Sequence, residues 1–224
     1  MKDKVRLIDI KSEILSENKN LANEIRGNLE REKTYMLNLM SSPGSGKTSL
    51  ILKAIDELRG ELRIAVIEAD IDSMVDSEKV AAHGVSAVQI RTGGFCHVGA
   101  NMVEKALESM DLAAFDLIFL ENVGNLVCPA ECDTGATSNA MILSVPEGDD
   151  KPLKYPLMFT VCDVLVVNKI DYPDYVDFNR EALRERVCSL NPRMRIFEMS
   201  CKTGKGLHAW TSWLKEEVTA FMRR

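Results

Sequence analysis

Several features are missing from this 224-residue chain, and each absence excludes a class of protein. No apolar run approaches the roughly 20 residues that cross a bilayer, so no membrane-spanning helix is expected. The opening segment, M-K-D-K-V-R-L-I-D-I, lacks the apolar region of a secretory signal, and a cytoplasmic protein is predicted. Basic charge is in deficit: 28 Lys and Arg stand against 34 Asp and Glu, giving a net charge of −6 and a pI near 5.3. That balance argues against a nucleic-acid partner held through a basic surface. No linker, internal repeat or low-complexity segment interrupts the sequence, and its length suits one domain over residues 1–224. A closed C-x-x-C pair of the structural-zinc kind is also absent. In the cytoplasm the six cysteines are read as thiols or metal ligands rather than disulfides.

What is present alternates. Residues 5–33 read as an amphipathic helix packed on the domain, with Leu21, Ile25 and Leu29 recurring every fourth residue. Short apolar runs predict strands at 35–40, 63–67 (continuing to Glu68, Ala69 and Asp70), 87–90, 115–120, 141–145, 164–167 and 194–197. Helical patterns fall between them: from Leu50 to Leu58, around Asp72 to Lys79, over 99–110 and over 207–221. Strands alternating with helices predict an α/β fold, a mainly parallel sheet flanked by helices.

The stretch between the first strand and the next helix is Ser41-Ser42-Pro43-Gly44-Ser45-Gly46-Lys47-Thr48-Ser49. Strand, Gly-rich turn and helix start form a phosphate-binding loop, because a helix N-terminus offers unpaired N–H groups and a positive dipole end. Gly44 and Gly46 permit close backbone approach. Lys47 is expected at the β/γ-phosphates and the Thr48 hydroxyl on Mg²⁺. Ser41 stands where that motif opens on glycine.

A second nucleotide signal follows the 164–167 strand: Asn168-Lys169-Ile170-Asp171, which resembles the N-K-x-D base-reading motif of GTPases. Guanine presents N1–H and the N2 amino group, two donors that one fixed carboxylate, Asp171, accepts; adenine would oppose it with an acceptor. The Lys169 stem can lie along the base, and Asn168 can brace neighbouring loops. Ser200-Cys201-Lys202, after the last strand, resembles the S-A-K motif whose backbone supports guanine. Three motifs in order predict GTP as the ligand and argue against an ATP-using kinase. Asp70 and Asp76 are candidates to join Thr48 around Mg²⁺, a hard cation that takes oxygen ligands. Glu121, in Glu121-Asn122-Val123-Gly124, is expected to bind Mg²⁺ through water or to orient the attacking water. No glutamine occupies the usual water-positioning place, so unaided hydrolysis is expected to be slow.

Two soft-ligand clusters set this chain apart: Cys96-His97 after Gly93-Gly94-Phe95, and Cys128 in Val127-Cys128-Pro129-Ala130-Glu131-Cys132. Thiolate and imidazole suit Zn²⁺ or Ni²⁺. Cys96, His97 and Cys128 form the candidate core, three ligands that a two-fold dimer would double. Cys132 is a nearby thiol without an assigned role. Cys162, Cys188, Cys201, His83 and His208 read as core or surface residues.

These motifs, with Asp150-Lys151-Pro152-Leu153-Lys154-Tyr155-Pro156, resemble the HypB family, GTPases of nickel–iron hydrogenase maturation. The resemblance runs from the phosphate loop through the last strand, and Ser41 is normal in that family. It implies a nickel metallochaperone of the SIMIBI class with a P-loop NTPase fold and slow GTPase activity. It further implies a GTP-dependent homodimer that binds metal at its interface through Cys96, His97 and Cys128. The implied partners are a HypA-like nickel protein and the hydrogenase large subunit. Departures from the family pattern are also visible. A His-rich N-terminal extension is absent, which argues against nickel storage, and the C-x-x-C-G-C motif of some members is absent, which leaves the interface site as the expected metal site. Asn101 and Gly99 stand where His and Asp are found in other members, and Cys132 replaces an apolar aromatic. A UreG-like urease-maturation GTPase is the alternative in the same fold, although no C-P-H tripeptide occurs. An alternative of another class is a GTP-switched dimerising regulator whose thiols are incidental.

Overall fold

The computed structural model describes residues 10–70, 75–172 and 177–224, with side chains from residue 15 and, in the second segment, from residue 79. Helix α1 (Ile10–Glu32) precedes β1 (Tyr35–Ser41), α2 (Lys47–Leu58) and β2 (Ile64–Asp70). Next come α3 (Val75–Ala82), β3 (Ser86–Arg91), α4 (Ala100–Glu108), β4 (Leu117–Glu121) and the short α5 (Cys128–Glu131). The chain continues through β5 (Ser138–Ser144), α6 (Lys151–Lys154), α7 (Pro156–Val161) and β6 (Val164–Asn168). It then runs through α8 (Arg180–Leu190), β7 (Arg195–Glu198) and α9 (Leu207–Met222).

The strands form one sheet in the order β3-β2-β4-β1-β5-β6-β7, and every pairing is parallel. Parallel sheets need cover on both faces, and side-chain alternation supplies it. Leu37, Leu39, Phe119, Ile142 and Val166 face α2 and α9, in a core that includes Leu50, Ile55, Trp210 and Leu214. On the other face, Met36, Ile67, Ile118 and Leu120 pack on Ile25 and Leu29 of α1 and Val103 of α4. Met141, Leu143 and Leu165 on that face pack with Met158 and Phe159 of α7 and Val187 of α8. Phe119 is fully buried, so truncating it to Ala would cost about 3–5 kcal/mol. Just before β4, Asp116 accepts hydrogen bonds from the Arg63 backbone N–H at 2.8 Å and from its guanidinium at 2.6 Å. The Arg63 hydrogen bonds hold the Asp116 carboxyl below the usual carboxylate range despite its burial.

The sequence-based elements recur with shifted ends and some omissions. The predicted 5–33 helix is seen from Ile10 to Glu32, and residues 5–9 lie outside the described residues, as does Asp72. Strand β5 begins at Ser138, earlier than predicted, because polar Ser138 and Asn139 pair with Leu37 and Asn38. Val145 leaves that strand for a 3₁₀ turn that Ser144 and Glu147 close with a capping box. Helix α8 was not predicted: only Leu183 and Val187 are buried, too few for a periodic signal. Helices α5, α6 and α7 are too short to carry one. Among the described residues no helix is long and apolar enough to cross a membrane.

Candidate functional site

The loop between β1 and α2 sits at the carboxyl ends of the strands, where an open parallel sheet forms its ligand crevice. Gly44 and Gly46 take φ +77° and +105°, which L side chains resist. Gly46 is needed for a second reason, since a Cβ there would lie 2.5 Å from the Asn168 amide nitrogen. Lys47 is buried, and its Nζ donates to Ser41 Oγ at 3.1 Å. Ser45 Oγ closes the turn onto the Ser42 carbonyl at 2.8 Å. Ser42 Oγ donates to Glu147, whose other oxygen accepts the Ser144 N–H at 2.7 Å, so β5 braces the loop.

The candidate base-reading residues meet this loop from the other side. Asn168 Nδ2 donates to the Ser45 carbonyl at 2.9 Å, and its Oδ1 accepts the Lys169 N–H at 2.8 Å and the Cys201 N–H at 3.1 Å. One buried amide thus ties all three sequence motifs together. Lys169, at φ 62°, sends Nζ to the Gly44 carbonyl at 2.7 Å. Ser200 Oγ donates to Asp171 Oδ1 at 2.6 Å, and this bond first of all holds the exposed Asp171 carboxyl below its ordinary value. Gly46, Ser49, Asn168, Lys169, Asp171 and Lys202 line a cavity of about 660 Å³. The arrangement can hold a base with its donors turned to Asp171.

A second cavity of about 490 Å³ opens on the other side of the loop, lined by Lys47, Thr48, Glu68, Asp70 and Glu121 among others. Thr48 Oγ1 donates to Glu121 Oε1 at 2.8 Å. Glu121 is in register with Glu68 across β4 and β2, and both carboxylates are buried. Hydroxyl and carboxylate oxygens gathered beside a phosphate loop are a donor set that fits Mg²⁺. Asp76 lies in α3, but its side chain is outside the described residues. Glu68 is the acid that sequence reasoning missed, because only its register with Glu121 brings it to this cavity. Gly124 completes this wall, because a Cβ there would press on Pro43 at 3.1 Å.

The soft ligands converge. Cys96, His97 and Cys128 each offer a ligand atom, and these atoms all lie within 4.8 Å of one another. Cys96 and His97 sit in the turn between β3 and α4, and Cys128 opens α5. The adjacent Cys96 sulfur, followed by burial, pushes the Cys128 thiol up, as expected where two sulfurs share one space. A soft cation would relieve that opposition by stabilising both thiolates. Cys132 stays outside the trio: burial, then the Asp133 charge, pushes it up to about 11, and its Sγ donates to Asn18 Oδ1 at 3.6 Å. Cys162 and Cys201 are buried, Cys188 is exposed and the His208 side chain is 91% exposed, so none of them joins the cluster. Asn122, next to Glu121, links the two halves of the site. Its Oδ1 accepts the Val98 N–H at 3.3 Å, immediately after His97, while its Nδ2 donates to Asn38 Oδ1 at 3.1 Å.

A family model described as the CobW/HypB/UreG nucleotide-binding domain matches residues 35–198. The hydrogenase maturation factor HypB of Rhizobium leguminosarum bv. viciae is 43% identical over 218 residues, covering 97% of this chain and 72% of that protein. The crystal structure of HypB from Archaeoglobus fulgidus superposes with a TM-score of 0.85 at 38% identity, covering 91% of this chain and 100% of that one. HypB from Helicobacter pylori, solved in complex with nickel, gives 0.86 at 38% identity, covering 91% of this chain and 96% of that one. The chain belongs to the CobW/HypB/UreG family of nucleotide-binding proteins and, within it, to the HypB hydrogenase maturation factors.

Proposed function

We propose that this chain is a GTP-hydrolysing metallochaperone that carries nickel at a GTP-dependent dimer interface and assists its insertion into nickel–iron hydrogenase. The observation that carries the reading is the convergence of Cys96, His97 and Cys128 within 4.8 Å, on loops adjoining a nucleotide cleft. The nickel-bound H. pylori relative supports nickel as the cargo. Three soft ligands leave a coordination shell incomplete, and a two-fold partner presenting the same trio adds three more, making six.

In this reading Asp171 accepts the two guanine donors, Lys169 covers the base, and the Ser200–Lys202 turn supports it. The Gly44, Ser45, Gly46 and Ser49 turn cradles the phosphates, and Lys47 swings from Ser41 to the β/γ-phosphate oxygens. Thr48, Asp70, Asp76 and Glu121 are the residues that would hold Mg²⁺, and the ion when bound would offset the phosphate charge. Glu121 also suits the orientation of the attacking water, and the missing glutamine keeps hydrolysis slow. Loss of the γ-phosphate contacts relaxes the segment from Glu121 to Cys128, and the metal becomes available to an acceptor. A HypA-like nickel protein and the hydrogenase large subunit are the proposed partners. The test compares GTP with ATP turnover, and metal stoichiometry in the parent, Cys96→Ala and Cys128→Ala proteins. The reading predicts a GTP preference and lost stoichiometry in both variants. Unchanged stoichiometry would point instead to a dimerising regulator with idle thiols, and equal use of ATP would remove the guanine assignment.

A further inference from the structure

The two loops that carry the soft ligands are joined by a residue of α1. Asn18 Oδ1 accepts the N–H of Ala100 at 2.8 Å, three residues beyond His97. Its Nδ2 donates to the Asp133 carbonyl at 2.7 Å, five residues beyond Cys128. Cys132 Sγ adds a contact to the same Oδ1 at 3.6 Å. The Ala100 N–H belongs to the first turn of α4, where a helix has donors without internal partners. Gly99 precedes that helix and has no side chain to cap it, so Asn18 caps α4 from a different helix.

Two glycines make this contact possible. A Cβ on Gly99 would lie 2.9 Å from Asn101 Oδ1, 3.3 Å from Asn18 Oδ1 and 3.7 Å from Cys132 Sγ. A side chain at this position would therefore press on the amide, which the glycine leaves room for. Gly135, at φ +79°, lets the loop after Cys132 lie on α1, where a Cβ would come 2.7 Å from Ile25 Cβ. Arg26 strengthens the seam with two hydrogen bonds of 2.8 Å to the Asp133 carboxylate. Asn18, His97, Cys128 and Cys132 line one cavity of about 590 Å³.

We infer that Asn18 is a positioning residue for the Cys96–His97–Cys128 site, fixing the separation of its two loops by bridging Ala100 and Asp133. The inference rests on the metal-binding reading above and gives α1 a part in it. Without the bridge, the two loops would be held together on this side only by the Asn122 contact to Val98, and a metal ion would have to gather its ligands from a looser pair.

The test uses the full chain, with Asn18→Ala, Asn18→Asp and Arg26→Ala, and titrates Zn²⁺ and Ni²⁺ separately against a chromophoric chelator without nucleotide. Asn18→Ala should weaken each ion about tenfold, the low end of the range for groups that orient metal ligands. Stoichiometry and GTP affinity should be unchanged, and Ala100 amide exchange should accelerate. Asn18→Asp keeps the acceptor for Ala100 but loses the donor to Asp133, so its affinity should be intermediate. Arg26→Ala removes a side-chain hold on Asp133 but leaves both Asn18 hydrogen bonds in place, so it should weaken metal binding less than Asn18→Ala does. Parent-like metal affinity in Asn18→Ala would overturn the inference alone. So would equal losses in Asn18→Ala and Arg26→Ala, which would assign the effect to general docking of the helix. If Asn18→Ala lost helical signal, Asn18→Asp with parent affinity would overturn the inference and an intermediate value would uphold it. A parent that binds neither ion would overturn the metal reading and this inference with it.

Discussion

The nucleotide cleft and the soft-ligand pocket lie on the same sheet but are built differently. The cleft is braced at every corner: Asn168 joins three motifs, Glu147 supports Ser42, and Lys47 is held by Ser41. Its reading groups stand at strand ends whose side chains are locked in a core. The pocket instead draws its ligands from two half-buried loops, tied by a few hydrogen bonds from Asn122, Asn18 and Arg26. In the proposed reading, a braced cleft would make base choice a fixed property of the fold. A pocket held by a few hydrogen bonds is one whose affinity a distant event can change, because each tie is worth about 1 kcal/mol.

Four substitutions sharpen that contrast, from the largest effect to the smallest. Lys47→Ala removes the buried charge that the proposed function assigns to the phosphates and should lower kcat for GTP by about 10²–10³-fold. Circular dichroism should be unchanged, and metal binding without nucleotide should be untouched. Asp171→Asn turns an amide donor toward the guanine donors, a mismatch of about 1–3 kcal/mol. GTP affinity should fall by one to two decades while xanthosine nucleotides gain, measured by competition with a fluorescent nucleotide. Cys128→Ala should leave GTP affinity as it is but remove the dependence of metal affinity on nucleotide, a coupling of about 1–3 kcal/mol. The smallest effect concerns the frame beneath both sites. Asp116 has its pKa depressed in the fold by Arg63, so its contribution to stability is present above the unfolded carboxylate value. That contribution disappears as pH falls through the lower folded value, below about pH 4. Thermal unfolding of Asp116→Asn should therefore differ from the parent at neutral pH and converge with it in acid.

Much of the nucleotide side was legible in the sequence because its chemistry is local. The glycines, Lys47 and Thr48 are contiguous, and Asn168 to Asp171 share one turn. The sheet was legible wherever apolar runs were continuous, and β5 was misjudged where Ser138 and Asn139 are polar inside a central strand. Residues that act across the sheet left weaker traces. Glu68 acquires meaning only from its register with Glu121, and Asn122 only from Val98 and Asn38. Cys96, His97 and Cys128 were recognisable by residue type, but their convergence depends on β3 and β4 flanking β2. Asn18 gave no signal, since a polar residue on an amphipathic helix reads as solvated until Ala100 and Asp133 are found against it.

The central claim is that the nucleotide governs the metal. The direct measurement is calorimetric titration of Ni²⁺ into the nucleotide-free, GDP-bound and GTP-analogue-bound protein, with mass followed by light scattering. Linkage requires that if the GTP analogue tightens metal binding by some factor, metal tightens GTP-analogue binding by the same factor. The account predicts the tightest Ni²⁺ binding in the GTP-analogue form, accompanied by a doubling of mass. Identical affinity and stoichiometry in all three forms, with no change of mass, would contradict it.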